Sequence, residues 1–196
     1  VVAIAGPDGY IYDPDGAVTD EKINYLLEMR ASGRDKVQDY ADKFGCEFHA
    51  GEKPWGLGAD KVDIMMPCAT QNDVNMDSAK KIAASGIKYY IEVANMPTTN
   101  DALEFLKEQK HMVIAPSKAV NACGVAVSAL EMAQNAERLY WTAEEVDAKM
   151  HQIMANIYHS SVAAAERYGL GYDLVAGANI VGFQRVADAM MAQGIF

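Results

Sequence analysis

Cysteine is scarce in this chain. Cys46, Cys68 and Cys123 are the only three among 196 residues, and no two form a CxxC pair. An odd, scattered set excludes a disulfide framework or a zinc ribbon and suits a reducing, cytoplasmic setting. Long apolar runs are missing as well. An uncharged apolar stretch such as Leu174 to Phe183 is far shorter than the roughly 20 residues that span a bilayer, so no membrane span is expected. The opening Val1-Val2-Ala3-Ile4-Ala5 carries neither a basic leader nor a cleavage signal, and no secretory targeting is read there. Positive charge is in deficit, since 17 Lys and Arg against 27 Asp and Glu leave a formal net charge of −10. A phosphate backbone is repelled by such a chain, which excludes nucleic acid as an expected partner.

Metal and phosphate motifs fail on spacing. His151 and His159 stand eight apart on one long helical pattern while His49 and His111 are isolated, so no convergent metal ligands are expected. Gly56-Leu57-Gly58 precedes a strand pattern, with Lys61 where a third glycine belongs, and Gly177 to Gly182 lacks the Lys-Ser/Thr of a phosphate loop. Asp13-Pro14-Asp15-Gly16 has no distal Glu to complete a calcium loop and reads as a turn. No internal repeat or low-complexity linker is present.

What is there is a recurring break from apolar run to small polar loop. Val62-Asp63-Ile64-Met65-Met66 runs into Pro67-Cys68-Ala69-Thr70-Gln71-Asn72, Tyr89 to Val93 into Ala94-Asn95-Met96-Pro97-Thr98-Thr99, and Met112 to Ile114 into Ala115-Pro116-Ser117. This is the pattern of the carboxyl edge of a parallel sheet, where open α/β folds bind small ligands. Helix signals alternate with the strands. Thr19 caps a helix opening with Asp20 and Glu21; further helices run from about Asp35 to Phe44 with Gly45 as stop, Lys80 to Ser85 with Gly86 as stop, and Asp101 to Glu108. Gly9 to Gly16 reads as a turn-rich segment after the opening strand. Beyond Lys118 the strand signals cease. Helical patterns cover Val125 to Leu139, Thr142 to Tyr168, where Thr142 and Glu145 form a capping-box pair, and roughly Val175 to Met191. Cys68 reads as a small buried filler with no neighbouring cation to activate it.

Several long blocks, in order, carry a resemblance: Pro67 to Asn72, Ala94 to Thr99, Leu130-Glu131-Met132-Ala133-Gln134-Asn135, Trp141-Thr142-Ala143-Glu144-Glu145-Val146-Asp147 and Ala176-Gly177-Ala178-Asn179-Ile180. The chain resembles the C-terminal half of the hexameric glutamate dehydrogenases. Gly6-Pro7-Asp8-Gly9 and Tyr89 to Asn95 resemble their clostridial, NAD-dependent branch. The resemblance implies an incomplete Rossmann-like doubly wound sheet followed by long C-terminal helices. Residues 1–140 correspond to a dinucleotide-binding domain without its first strand and glycine-rich turn, and residues 141–196 to its helical segment. It further implies oxidative deamination of L-glutamate to 2-oxoglutarate and ammonia, NAD in preference to NADP, no metal, and a homo-oligomeric parent. The catalytic Lys and Asp would lie upstream, on a substrate domain, so the chain reads as a fragment inactive by itself.

By match to the family pattern, Ser128 binds the side-chain carboxylate of the substrate and Val125 lines the same pocket. Ala69, Thr70 and Asn95 lie along the cofactor, and Asn121 faces the nicotinamide. Read bottom-up, Val125 and Ser128 share a helix face, although a mid-helix serine commonly bonds its own backbone. Asn95 before Met-Pro also reads as turn chemistry, because Asn tolerates unusual backbone angles. At the end of the opening strand, Pro7 offers no N–H and Asp8 either accepts from a ribose 2′-hydroxyl or repels a 2′-phosphate, with no Lys or Arg before Lys22; the same residues also read as a plain turn. The family has two glycines where Ala122-Cys123-Gly124 stands, and Cys123 is expected to turn to the core. A noncatalytic dinucleotide-binding or interaction module, or a dehydrogenase of another amino acid, is the alternative.

Overall fold

The computed structural model describes residues 1–194; Phe196, at the end of the expected helical segment, lies outside them. The chain divides into two compact units, Val1–Asp63 with Lys80–Gly86, and Ile64–Ala79 with the chain from Ile87 on.

The first unit holds an antiparallel sheet of β1 (Ala3–Ala5), β2 (Gly9–Tyr12) and β3 (Glu47–Ala50), in that order. This corrects the reading of Gly9 to Gly16 as a turn-rich segment. Its front half, with the strand formers Tyr10-Ile11-Tyr12, is the central strand, and only Asp13 to Gly16 turns, closed by the Gly16 N–H on the Asp13 carbonyl at 2.9 Å. Two helices follow, α1 (Asp20–Ala31), its first turn capped by the Thr19 hydroxyl, and α2 (Gln38–Phe44), which stops at Gly45 with φ of 70°, a left-handed conformation that suits glycine. Ile11, Met29, Val37, Tyr40 and Ala41 form a closed core. Inside it Asp13 accepts from Lys22 Nζ at 2.6 Å and from the Tyr40 hydroxyl at 2.8 Å. Pro54–Gly56 is a 3₁₀ turn.

The second unit holds the expected parallel sheet, β4 (Ile64–Met65), β5 (Tyr89–Ile91) and β6 (Val113–Ala115), ordered as in the sequence. Parallel neighbours need crossovers. In chain order these are α3 (Met76–Ser85), whose residues are shared between the two units, and α4 (Asn100–Lys107). Short α5 (Ser117–Val120) then leads into α6 (Ala122–Glu137), α7 (Ala143–Arg167) and α8 (Leu174–Gln193). The capping box at the start of α7 is present in both directions, with Glu145 N–H on the Thr142 hydroxyl and Thr142 N–H on the Glu145 carboxylate. The fold is thus mixed α/β with long C-terminal helices.

Candidate functional site

The site lies at the carboxyl edge of the parallel sheet. Leaving β4 and β5, the chain forms two loops that are tied to each other through the backbone. The Val93 and Ala94 N–H groups donate to Pro67 O, Asn72 N–H to Met96 O, Val74 N–H to Pro97 O, and Thr99 N–H back to Val74 O. The left-handed residue in the second loop is Met96, at φ 45°, and not Asn95. A side chain at positive φ costs energy that the surrounding bonds must hold in place.

These loops, with α5 and the start of α6, border an open cleft of about 810 Å³ lined by Cys68, Ala69, Gln71, Val93, Ala94, Asn95, Lys118, Asn121, Ala122 and Val125. That volume suits a small ligand or part of a larger one. Of the residues singled out beforehand, Ala69, Asn95, Asn121 and Val125 therefore line one cavity. Thr70 follows Ala69 in the same loop, and Ser128 stands exposed one turn beyond Val125 on α6; neither lines the cavity. Ser128 makes no hydrogen bond among the described residues, so its hydroxyl is not tied to its own helix as the Ser161 hydroxyl is to Ile157 O.

Asn121 bonds inward. Its Nδ2 donates to Asn95 Oδ1 at 2.7 Å and to Val93 O at 3.2 Å. Both of its amide hydrogens are thereby committed, which leaves Asn121 Oδ1 as an acceptor and Asn95 Nδ2 as a donor for a ligand. Behind them Glu92, 3 % exposed, accepts from Ser117 N–H at 3.1 Å and joins the end of β5 to the start of α5. Glu92, Gln71 and Lys118 were missed in the sequence. Glu92 left a signal, being the one charge in the run Tyr89 to Val93.

Two cysteine expectations resolve differently. Cys68 is exposed on the cavity wall, not a buried filler, because it follows Pro67 at the strand end, where the chain has already left the sheet. Partial desolvation still pushes its thiol up, away from a reactive thiolate. Cys123 is half-buried and does not line the cavity.

Pro7 and Asp8 belong to the first unit. They sit in a turn closed by the Gly6 N–H on Gly9 O at 2.8 Å, and Asp8 caps α2 by accepting from Val37 N–H at 3.0 Å and Gln38 N–H at 3.1 Å. The carboxylate is thus partly engaged within the protein. Among the described residues no group of His, Cys, Asp and Glu could hold a metal ion, and no helix is long and apolar enough to cross a membrane.

The family model described as Glutamate/Leucine/Phenylalanine/Valine dehydrogenase matches residues 1–194. The chain belongs to this family. It is 73% identical over 194 residues to a protein of Clostridium symbiosum named NAD-specific glutamate dehydrogenase, and 45% identical over 201 residues to one of Haemophilus influenzae named NADP-specific glutamate dehydrogenase. A solved glutamate dehydrogenase structure superposes with a TM-score of 0.94, at 73% identity over 99% of this chain. The chain spans 42% to 43% of the length of these relatives. Within the family, then, it corresponds to less than half of a full-length member.

Proposed function

We propose that this chain is the cofactor-binding part of an NAD-preferring glutamate dehydrogenase, in a parent that converts L-glutamate to 2-oxoglutarate and ammonia. The observation that carries the reading is the convergence of Ala69, Asn95, Asn121 and Val125 on one cavity at the carboxyl edge of the parallel sheet. The lining fits a dinucleotide's nicotinamide end, with apolar Ala69 and Val125 beside the donor of Asn95 and the acceptor of Asn121. When bound, the oxidised nicotinamide supplies the hydride acceptor. The chain's own residues position the partners: Asn95 and Asn121 orient polar groups of the cofactor, Val125 excludes water, and the uncommitted Ser128 hydroxyl donates to the side-chain carboxylate of glutamate. A pocket for an apolar amino acid gains nothing from an unpaired hydroxyl, which favours glutamate over leucine or valine as substrate.

Thr70 is proposed to lie along the cofactor beside Ala69. The charge of Asp8 disfavours a 2′-phosphate, and Pro7 offers that phosphate no N–H. A cytoplasmic homo-oligomer completes the proposal, with the general acid/base and carboxylate-clamping lysines on a substrate domain outside these residues. Assay of the full-length parent with NAD and NADP side by side tests it. Glutamate-dependent reduction that favours NAD is expected, whereas equal use of NADP would sink the cofactor assignment. The 196-residue chain alone should give no turnover, because hydride transfer needs substrate and cofactor aligned in one closed cleft.

A further inference from the structure

The block Ala176 to Ile180 on α8 has no part in the site as described so far, yet it reaches the cavity. Asn179 Oδ1 accepts a hydrogen bond from Lys118 Nζ at 2.5 Å, across 61 residues of sequence. Among the described residues, Lys118 is the only charged side chain that lines the cavity. Three other lysines are held by carboxylates: Lys22 by Asp13, Lys43 by Glu21, and Lys107 by Glu104 and Asp173. The partner of Lys118 is a neutral amide. A carboxylate would hold the ammonium and cancel its charge, whereas an amide oxygen holds it through one hydrogen and leaves the charge and two further donors for a ligand.

The tether is itself well supported. The first turn of α8 is capped by Asp173, whose Oδ1 accepts from Ala176 N–H at 2.9 Å. Gly177 lets α8 settle on α7, because a Cβ at that position would run into the Ser161 carbonyl oxygen. Asn179 stands two residues beyond this close approach, on the exposed side of α8, so its bond to Lys118 is made at the surface from an anchored helix.

We propose that Lys118 is the anion contact of the cavity, taking a carboxylate oxygen of the amino-acid substrate or a phosphate oxygen of the cofactor, and that Asn179 is its positioning residue. The inference rests on the dehydrogenase reading above. In a chain of net charge −10, a local, unneutralised cation is what allows an anionic ligand to enter.

The test uses the full-length parent, with KM for glutamate and KM for NAD measured separately for each variant. Lys118→Met should raise one of them by about tenfold to a hundredfold, as for loss of a charge-assisted hydrogen bond, and Lys118→Arg should recover most of it. A shift in the glutamate constant identifies the substrate carboxylate, and a shift in the NAD constant the cofactor phosphate. Asn179→Ala should raise the same constant by about threefold to tenfold, and the double variant should be no worse than Lys118→Met alone.

Asn179→Asp discriminates most sharply. It preserves or strengthens the tether but neutralises the ammonium, so a contact role demands weaker binding at unchanged melting temperature, and a purely structural role predicts no loss. Calorimetric titration of NAD and of 2-oxoglutarate into the same proteins reads the contact without turnover. An inactive unaltered parent would therefore sink the dehydrogenase reading without deciding this one. Both binding constants unmoved by Lys118→Met, or Asn179→Asp binding as well as the unaltered protein, would overturn the inference.

Discussion

The two compact units differ in how far their helices bury apolar side chains. In the first, Asp13 and Lys22 are drawn inside, at 7% and 15% side-chain exposure, and the apolar cluster around Ile11 and Tyr40 closes over them. In the second, α6 buries no residue at all, with Val125 and Met132 each more than 70% exposed, and α8 leaves Phe183 and Met191 bare. Val18 and Leu27 stay exposed in the first unit too, but its helices α1 and α2 each bury at least one apolar residue. A unit that leaves large side chains in water along two helices has surface to spare for contact with something else. The difference teaches that the first unit supplies stability and the second supplies surface, and the cavity belongs to the second.

The sharpest way to break the comparison is to remove one member of the buried pair. Asp13→Ala strands the Lys22 ammonium and should cost about 3–5 kcal/mol of stability, read by chemical denaturation. A loss below about 1 kcal/mol would mean that the pair is effectively solvated.

Acid probes the same group more gently. Burial alone would raise the Asp13 carboxyl, but hydrogen bonds from Lys22 and Tyr40 and the charge of Lys22 outweigh it and hold the group below the usual carboxylate range. A carboxyl lowered by folding stabilises fully above its unfolded value of about 3.9 and loses that contribution as the pH falls through the lower folded value. Stability should therefore decline below about pH 4, with part of the slope missing in Asp13→Asn. Identical slopes would exclude Asp13 as the origin.

On the second unit, Ser128→Ala in the full-length parent should lower kcat/KM for glutamate by a few-fold to a hundredfold, about 1–3 kcal/mol, and should affect norvaline less. Equal losses for both amino acids would make Ser128 structural. The smallest expected effect concerns bare surface. Phe183→Ser with Met191→Ser should change the stability of the 196-residue chain by no more than about 0.5 kcal/mol each, while reducing its binding of an apolar dye and its self-association. A marked loss of stability would show that these side chains are already packed.

Legibility in the sequence follows the range of the interactions involved. Helix ends are decided within four residues, and Thr19, Gly45 and the Thr142–Glu145 box could be read directly. Parallel strands announced themselves by apolar runs ending in small polar loops. Strand β3, Glu47-Phe48-His49-Ala50, carries little apolar signal of its own; its His49 stacks on Tyr10 with centroids 4.4 Å apart, a contact made only once the sheet has formed. The cavity divides similarly. Asn95 follows the end of β5 and lies in a block shared with the family, and Asn121, between α5 and α6, was named by match to the family pattern, whereas Lys118 gains meaning only from Asn179, which sequence spacing cannot bring near it. Cys68 was misread because burial was inferred from the apolar run before it, and Pro67 had already turned the chain out of the sheet.

The backbone bonds that link Pro67 to Ala94 and Val74 to Thr99 make the two loops a mechanical continuation of the sheet. Amides of Asn72, Val74 and Thr99 then share the slow hydrogen exchange of strands although they lie outside β4 and β5. Such a wall is stiff. The opposite rim, where α5 and the start of α6 carry Lys118, Asn121 and Val125, is joined to that wall by Asn121 on Asn95 and Val93 and by Ser117 on Glu92, so both sides of the cavity are pinned to one sheet end.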